Sequence, residues 1–199
     1  MATTKIEASN IATGAVPSTG LTSVQVFTSS STWTKPTDIT KVIIEVQGAG
    51  GSGSAVATNY GPGAAGGFAK KLVDVSSVTA STITVGAGGA GLAAGGGAGN
   101  AGGLSSWADS VNTDVVGNGG GGKPDSATVS AGGTGTGGDI NITGGSGINS
   151  ANPGGSNMYG DGSAQKQDGQ GYGSGGGNGY TSYVSGAGRS GIVIVWEYK

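Results

Sequence analysis

The sequence predicts an all-β protein in which packed glycine-rich extended helices of the polyglycine-II type accompany short β-strands, with essentially no long α-helix. Three observations predict it. Glycine supplies 47 of 199 residues, and 45 of these lie between Gly48 and Gly191, in a span far richer than the average of about 7%. Short β-branched runs occur at both ends of that span, which suggests one domain closed by its C-terminal strand. No window of ten or more residues carries a helical apolar period free of glycine.

Residues 1–22, MATTKIEASNIATGAVPSTGLT, place Ile6, Ile11, Val16 and Leu21 five apart. That spacing fits neither helix nor strand, and leaves a flexible leader or a docking arm that orders on a partner. The domain proper is expected over residues 23–199. Its strand candidates are Val24 to Phe27, the neighbourhood of Trp33 before Pro36, Lys41 to Gln47, Phe68 to Val75, Thr82 to Val85, and Ile192 to Tyr198. Val42, Ile44 and Val46 alternate with Lys41, Ile43, Glu45 and Gln47. Ile192, Ile194, Trp196 and Tyr198 alternate likewise with Val193, Val195 and Glu197, as half-buried strands do. Trp33 and Trp196, on these strands, are assigned to the core.

The glycine blocks need a physical account, because glycine loses the most backbone entropy on ordering. Read at every third residue, positions 87 to 105 and 88 to 106 are almost entirely small, whereas the third set holds Leu92 and Leu104. A three-fold extended helix would then have two faces for close neighbours and one for apolar anchors. At about 3.1 Å per residue the block would outrun a compact domain, so segments of roughly 7 to 10 residues must fold back. Asn118-Gly119, Pro153-Gly154, Asp161-Gly162, Asp168-Gly169 and Asn178-Gly179 are the expected turns. Valine at Gly91 or Gly97 should overpack a neighbouring backbone.

Composition excludes several functions. Charged residues make up 10% of the chain with a net charge of −2, so the basic patch of a nucleic-acid binder is missing. Neither long apolar segments nor a secretory signal pattern are present, so no membrane insertion is expected. Cysteine and histidine are both absent, which removes thiolate metal sites and the usual hydrolytic triads. Glycines 48, 50 and 53 match a dinucleotide-binding turn, with Asp74 in the place of the ribose acid. The following SAVATNYGPGAAGGF, however, cannot be the required helix. GNGGGGK, Gly117 to Lys123, opens like a P-loop but continues with Pro124. GGSGIN at 144–149 approaches a calcium-binding repeat, yet has Asn149 where the acid belongs and no tandem copies. No enzyme, cofactor or metal is expected.

The succession FTSSSTWTKPTDITKVIIEVQGAGGSG, GGFAKKLVDV, TITVGAGGAG, GGLSSW, GGDINITGG and SGIVIVWEY resembles the glycine-rich terminal domain of tail fibres and adhesins of tailed bacteriophages, over roughly Val24 to Lys199. The resemblance implies a virion protein whose glycine-rich lobe presents loops to the bacterial surface, often as the distal part of a trimeric fibre. Residues 1–22 are too few for a shaft, so both a fibre tip and a small subunit decorating tail or capsid remain open. Within that reading the receptor contacts are Tyr60, Trp107, Tyr159, Tyr172, Tyr180 and Tyr183, rigid amphipathic rings in or beside glycine-rich turns. Trp107 could equally be buried. The implied partners are other virion proteins through residues 1–22, a bacterial surface glycan or outer-membrane protein, and two further copies of the chain. An ice-binding protein would use similar helices, but Lys166, Asp168 and Tyr172 interrupt the flat small-residue array it needs.

Overall fold

The computed structural model describes residues 20–58, 60–125, 129–148 and 153–199. Residues 1–19, the bulk of the expected docking arm, lie outside the described residues. The protein is all-β, with no helix among the described residues.

Three of the expected strands are joined at once by their alternation. β3 (Lys41–Gln47) buries Val42, Ile44 and Val46 completely. β12 (Ile192–Tyr198) pairs antiparallel with β3, and β1 (Leu21–Phe27) pairs with the far side of β12. β4 (Phe68–Asp74) flanks β3 and is followed by β10 (Ile140–Ile142), giving the first sheet the order β1-β12-β3-β4-β10. The second sheet has the order β2-β5-β6-β7-β9, formed by β2 (Ser31–Thr34), β5 (Ala80–Thr84), β6 (Ser105–Ala108), β7 (Val115–Gly117) and β9 (Gly135–Thr136). β8 (Val129–Ser130) and β11 (Gly147–Ile148) form a separate ribbon.

The two large sheets enclose an apolar core of Trp33, Ile39, Val42, Ile44, Val46, Val73, Ile83, Trp107, Val115, Val193 and Val195. Trp33 and Trp107 touch with ring centroids 4.8 Å apart. On β12 the buried face is Val193, Val195 and Glu197, not the tryptophan face; Trp196 is half-buried on the outer side. Glu197 is accommodated because it accepts bonds from Trp33 Nε1 (2.7 Å), Gln25 Nε2 (2.7 Å) and Ser23 Oγ, which replace the water a buried carboxylate loses.

Beyond Gln47 the chain stays extended but stops pairing like a strand. Residues 48–55 hand their amides round in rotation. Gly48, Gly51 and Ser54 donate to the carbonyls of Gly67, Ala64 and Gly61; Ala49, Ser52 and Ala55 donate to Gly103, Asn100 and Gly97; Gly50 and Gly53 donate to Arg189 and Gly186, all at 2.8–3.2 Å. The carbonyls of the same segment serve three other neighbours, Ala49 and Ser52 accepting from Gly120 and Lys123, Gly51 and Ser54 from Gly176 and Gly179, and Gly50 from Gly89. Six segments therefore surround residues 48–55. The rotation has a period of three, whereas a β-strand addresses its neighbours with a period of two. The same step recurs where Ser185, Gly188 and Gly191 donate to Leu92, Gly89 and Gly86.

Glycine is required there by contact. A Cβ on Gly50 would lie 2.0 Å from the Ser174 carbonyl oxygen, and on Gly53 2.2 Å from that of Gly177. Gly91 behaves as expected, its Cβ falling 2.6 Å from the Ser185 oxygen. Gly97 does not: nothing lies within 4 Å, and its φ of +93° is what calls for glycine. Leu92 is half-buried and Leu104 is 48% exposed, so neither anchors the block in the core as the phase reading expected. Of the five expected turns only Asn178-Gly179 borders one: Asn118-Gly119 lies within a lattice segment, where Asn118 N donates to Thr134 O, and Pro153-Gly154, Asp161-Gly162 and Asp168-Gly169 are extended, Gly154 and Gly169 donating to the carbonyls of Ser163 and Ala187.

Candidate functional site

The direction of each segment sorts the connecting turns into two ends. Ser54, Ala55, Gly61, Leu92, Gly97, Gly179 and Ser185 are joined by mutual backbone bonds and define the end far from the sheets; Gly48, Gly67, Gly86, Asn118, Thr134 and Gly191 do the same beside them. The turns at 55–61, 92–97, 164–167 and 179–184 lie at the far end, and those at 156–160 and 170–173 at the near end.

This geometry divides the aromatic candidates into groups. Tyr60 and Tyr180 meet edge to face at the far end, with centroids 5.3 Å apart. Tyr180 and Tyr183 close their turn by exchanging backbone bonds of 3.2 and 3.0 Å. The Lys166 ammonium sits 3.4 Å above the Tyr183 ring, a cation–π contact. Lys166 holds a left-handed backbone at φ 68°, and its amide donates to Asn178 O. A non-glycine residue kept in that region is a sign of a locally over-determined structure. Tyr180 and Tyr183 are 37% and 49% exposed, while Tyr60 is half-buried against Tyr180.

Tyr159 and Tyr172 belong to the near end. The Tyr159 hydroxyl donates to Glu45 Oε2 at 2.5 Å and its ring packs 6.0 Å from Phe68. Burial, with the bond to Glu45 second, pushes its hydroxyl well above the usual phenol range. Glu45 also pairs with Lys70 at 2.8 Å, so Tyr159 is tied into the sheet. Tyr172 is 38% exposed beside Arg189. Trp107 is fully buried, and its Nε1 donates to Asp109 Oδ2 at 3.1 Å. It is a core residue and leaves the set of surface contacts, because an indole packed between two sheets reaches no ligand.

Sequence reasoning overlooked Lys166 and Arg189 as site residues. Arg189 interrupts a run of small side chains, which was the available signal, whereas Lys166 stands between Gln165 and Gln167 and carried none. The phosphate-binding motifs are spent on the lattice: the amides of residues 48–55 point at neighbouring carbonyls, and Gly120, Gly121 and Lys123 of the P-loop-like run donate to Ala49, Ala131 and Ser52. Lys123 is itself buried, its Nζ donating to Pro124 O at 2.8 Å. Burial lowers its pKa, against the opposing pull of Asp125.

Fold and surface thus define an all-β protein with a backbone-bonded glycine lobe and an aromatic far end. The glycine-rich domain family matches residues 25–192, most of the described structure, and the chain belongs to that family. No curated protein matched the chain.

Proposed function

We propose that the chain is a bacteriophage virion protein, a non-enzymatic tail-fibre-like adhesin whose glycine lobe is a bundle of polyglycine-II-type helices carrying a receptor-binding far end. The observation that carries this reading is the cluster of Tyr60, Tyr180, Tyr183 and Lys166 at the end of the lobe farthest from the sheets. The period-three bonding supports the polyglycine-II assignment, since a two-fold strand cannot address six neighbours in rotation. The lobe then acts as a rigid mount: its turns can vary while its interior cannot. The partners are a bacterial surface glycan or outer-membrane protein at the far end and other virion proteins through residues 1–22.

Self-association as a trimer belongs to the same reading. Across the outer side of the first sheet, Val24, Trp196, Ile43 and Leu72 stand side by side on four strands. Val24 is 41% and Leu72 54% exposed. Contiguous apolar surface of this kind marks an interface, and further copies of the chain are its proposed occupants.

Binding of the purified protein to intact susceptible bacteria tests the function. Replacing Tyr60, Tyr180 and Tyr183 together by alanine should remove binding while the fold survives, each contact being worth about 1–2 kcal/mol. Full binding by the folded triple variant rejects the site. If wild-type protein binds no host cell and particles lacking it are fragile, a structural decoration role of capsid or tail replaces the adhesin.

A further inference from the structure

A second concave surface lies at the near end, away from the tyrosine cluster. Gly171, Tyr172, Arg189 and Ser190 line a cavity of about 290 Å³. Arg189 is the only arginine in the sequence, and it occupies a lattice segment otherwise made of small residues. Its backbone is fixed there, the amide donating to Ser174 O and the carbonyl accepting from Gly50. The side chain is aimed as well, because Nε donates to the Gly169 carbonyl at 2.8 Å. Among the described residues no carboxylate pairs with the guanidinium. Asp168, on the adjacent segment, is engaged by the Ala187 amide at 2.9 Å.

The opposite wall is equally built. Gly171 has a φ of +97°, and a Cβ there would lie 2.2 Å from the Tyr159 carbonyl oxygen, so the turn that presents Tyr172 depends on glycine. The Tyr172 carbonyl accepts from Asn157 Nδ2 at 3.0 Å, and the next amide, of Gly173, donates to Ser190 O at 2.8 Å. The two walls are thus bonded to each other, and their side chains share one opening.

We infer that this cavity binds a sugar ring bearing an anionic substituent, a carboxylate or a phosphate. A guanidinium anchored through Nε leaves its terminal nitrogens as a planar donor fork, which matches the paired oxygens of either anion. The Tyr172 ring supplies an apolar face for the ring carbons, and the Ser190 hydroxyl a further donor. A volume of about 290 Å³ is at the small end of ligand sites and suits one ring rather than a chain. A lysine would provide charge without the fork, and a shallow patch would provide neither aim nor stacking.

The site goes beyond the far-end reading and is tested without host cells, by NMR titration of the wild-type protein with D-glucuronate, glucose 6-phosphate, glucose and inorganic phosphate. Saturable shifts of the Arg189 Nε–H and Tyr172 ring signals are expected with one or both anionic sugars. Their ratio tells carboxylate from phosphate. Glucose and inorganic phosphate should each bind at least about tenfold more weakly, lacking the fork contact or the stacking surface. Arg189→Gln should abolish saturation, Arg189→Lys should weaken binding about fivefold or more, and Tyr172→Ala about tenfold. The variant lacking Tyr60, Tyr180 and Tyr183 should bind as wild type does, so failure here and failure of the far-end site are separate results. Glucose binding as tightly as the better of the two anionic sugars, inorganic phosphate binding as tightly as that sugar, an unaltered Arg189→Gln titration, or wild-type Arg189 and Tyr172 signals that never move would each overturn the inference.

Discussion

The two halves of the molecule solve the same problem with different material. In the sandwich, side chains are the interior: Val42, Ile44, Val46, Val193 and the Trp33–Trp107 pair fill the space between two sheets. In the glycine lobe the backbone is the interior, and carbonyl oxygens occupy the places where Cβ atoms would stand. Apolar burial drives the first. The second rests on satisfied amides and close contact, and must offset the large ordering entropy of glycine. The sandwich should tolerate a smaller side chain at a cost, whereas the lobe should not tolerate a larger one where a carbonyl oxygen fills the place of the Cβ.

That contrast predicts the largest effects. Gly50→Val or Gly53→Val should destabilise by about 4 kcal/mol or more, because the obstructing atoms are backbone carbonyls that cannot swing away. Ile44→Ala in the sandwich should cost about 3 kcal/mol. Denaturant melts of the purified variants rank them; equal loss in the two regions would erase the distinction.

A smaller effect sharpens the sandwich side. Glu197→Ala should cost about 2–3 kcal/mol in the same melts, since it strands the buried donor of Trp33 and removes the partner of the half-buried Gln25 amide. Gly97 then separates conformational from steric need within the lobe. With φ at +93° and empty space around it, Gly97→Ala should cost about 1 kcal/mol and Gly97→Asn less, far below the Gly50 variant. A Gly97→Ala loss as large as that of Gly50→Val would mean a hidden contact.

The smallest effect is a pH dependence. Burial tends to raise the Asp109 carboxyl, but the amides of Asn112 and Val111, the Asn112 side chain and Trp107 Nε1 outweigh it and hold the pKa below the ordinary value of 3.8. A lowered carboxylate contributes stability that is present above its unfolded value and lost as pH falls through the lower folded one. Asp109→Asn should therefore flatten the acid side of the stability profile below about pH 4, as followed by thermal melts. An unchanged slope would remove Asp109 from the acid response.

The sandwich was more legible in the sequence than the lobe. The bounds of β3 and β12 were readable to the residue from their two-fold alternation, and so was the buried face of β3; on β12 both faces are apolar, and the tryptophan face was taken for the buried one. The strands from β6 to β11 were not foreseen; they span two to four residues, too short for a period to show. In the lobe the need for packing was readable from glycine density, but the partners were not. Gly53 bonds Gly186 through main-chain atoms that every residue possesses, so no side chain records the pairing. The aromatics suffered the same loss. Each tyrosine could be placed in a turn, but whether the turn faced the far end, as for Tyr180, or the near end, as for Tyr159, depends on how many segments the chain has traversed. Trp107 was ambiguous because its strand, β6, is only four residues long.

Hydrogen exchange of the amides from Gly48 to Ala55 tests the backbone lattice most directly. Eight consecutive amides, each donating to one of three surrounding segments, should all be protected as strongly as those of β3, with no alternation along the sequence. Exchange of these amides at the rate of an open coil, or protection of every second one only, would contradict it.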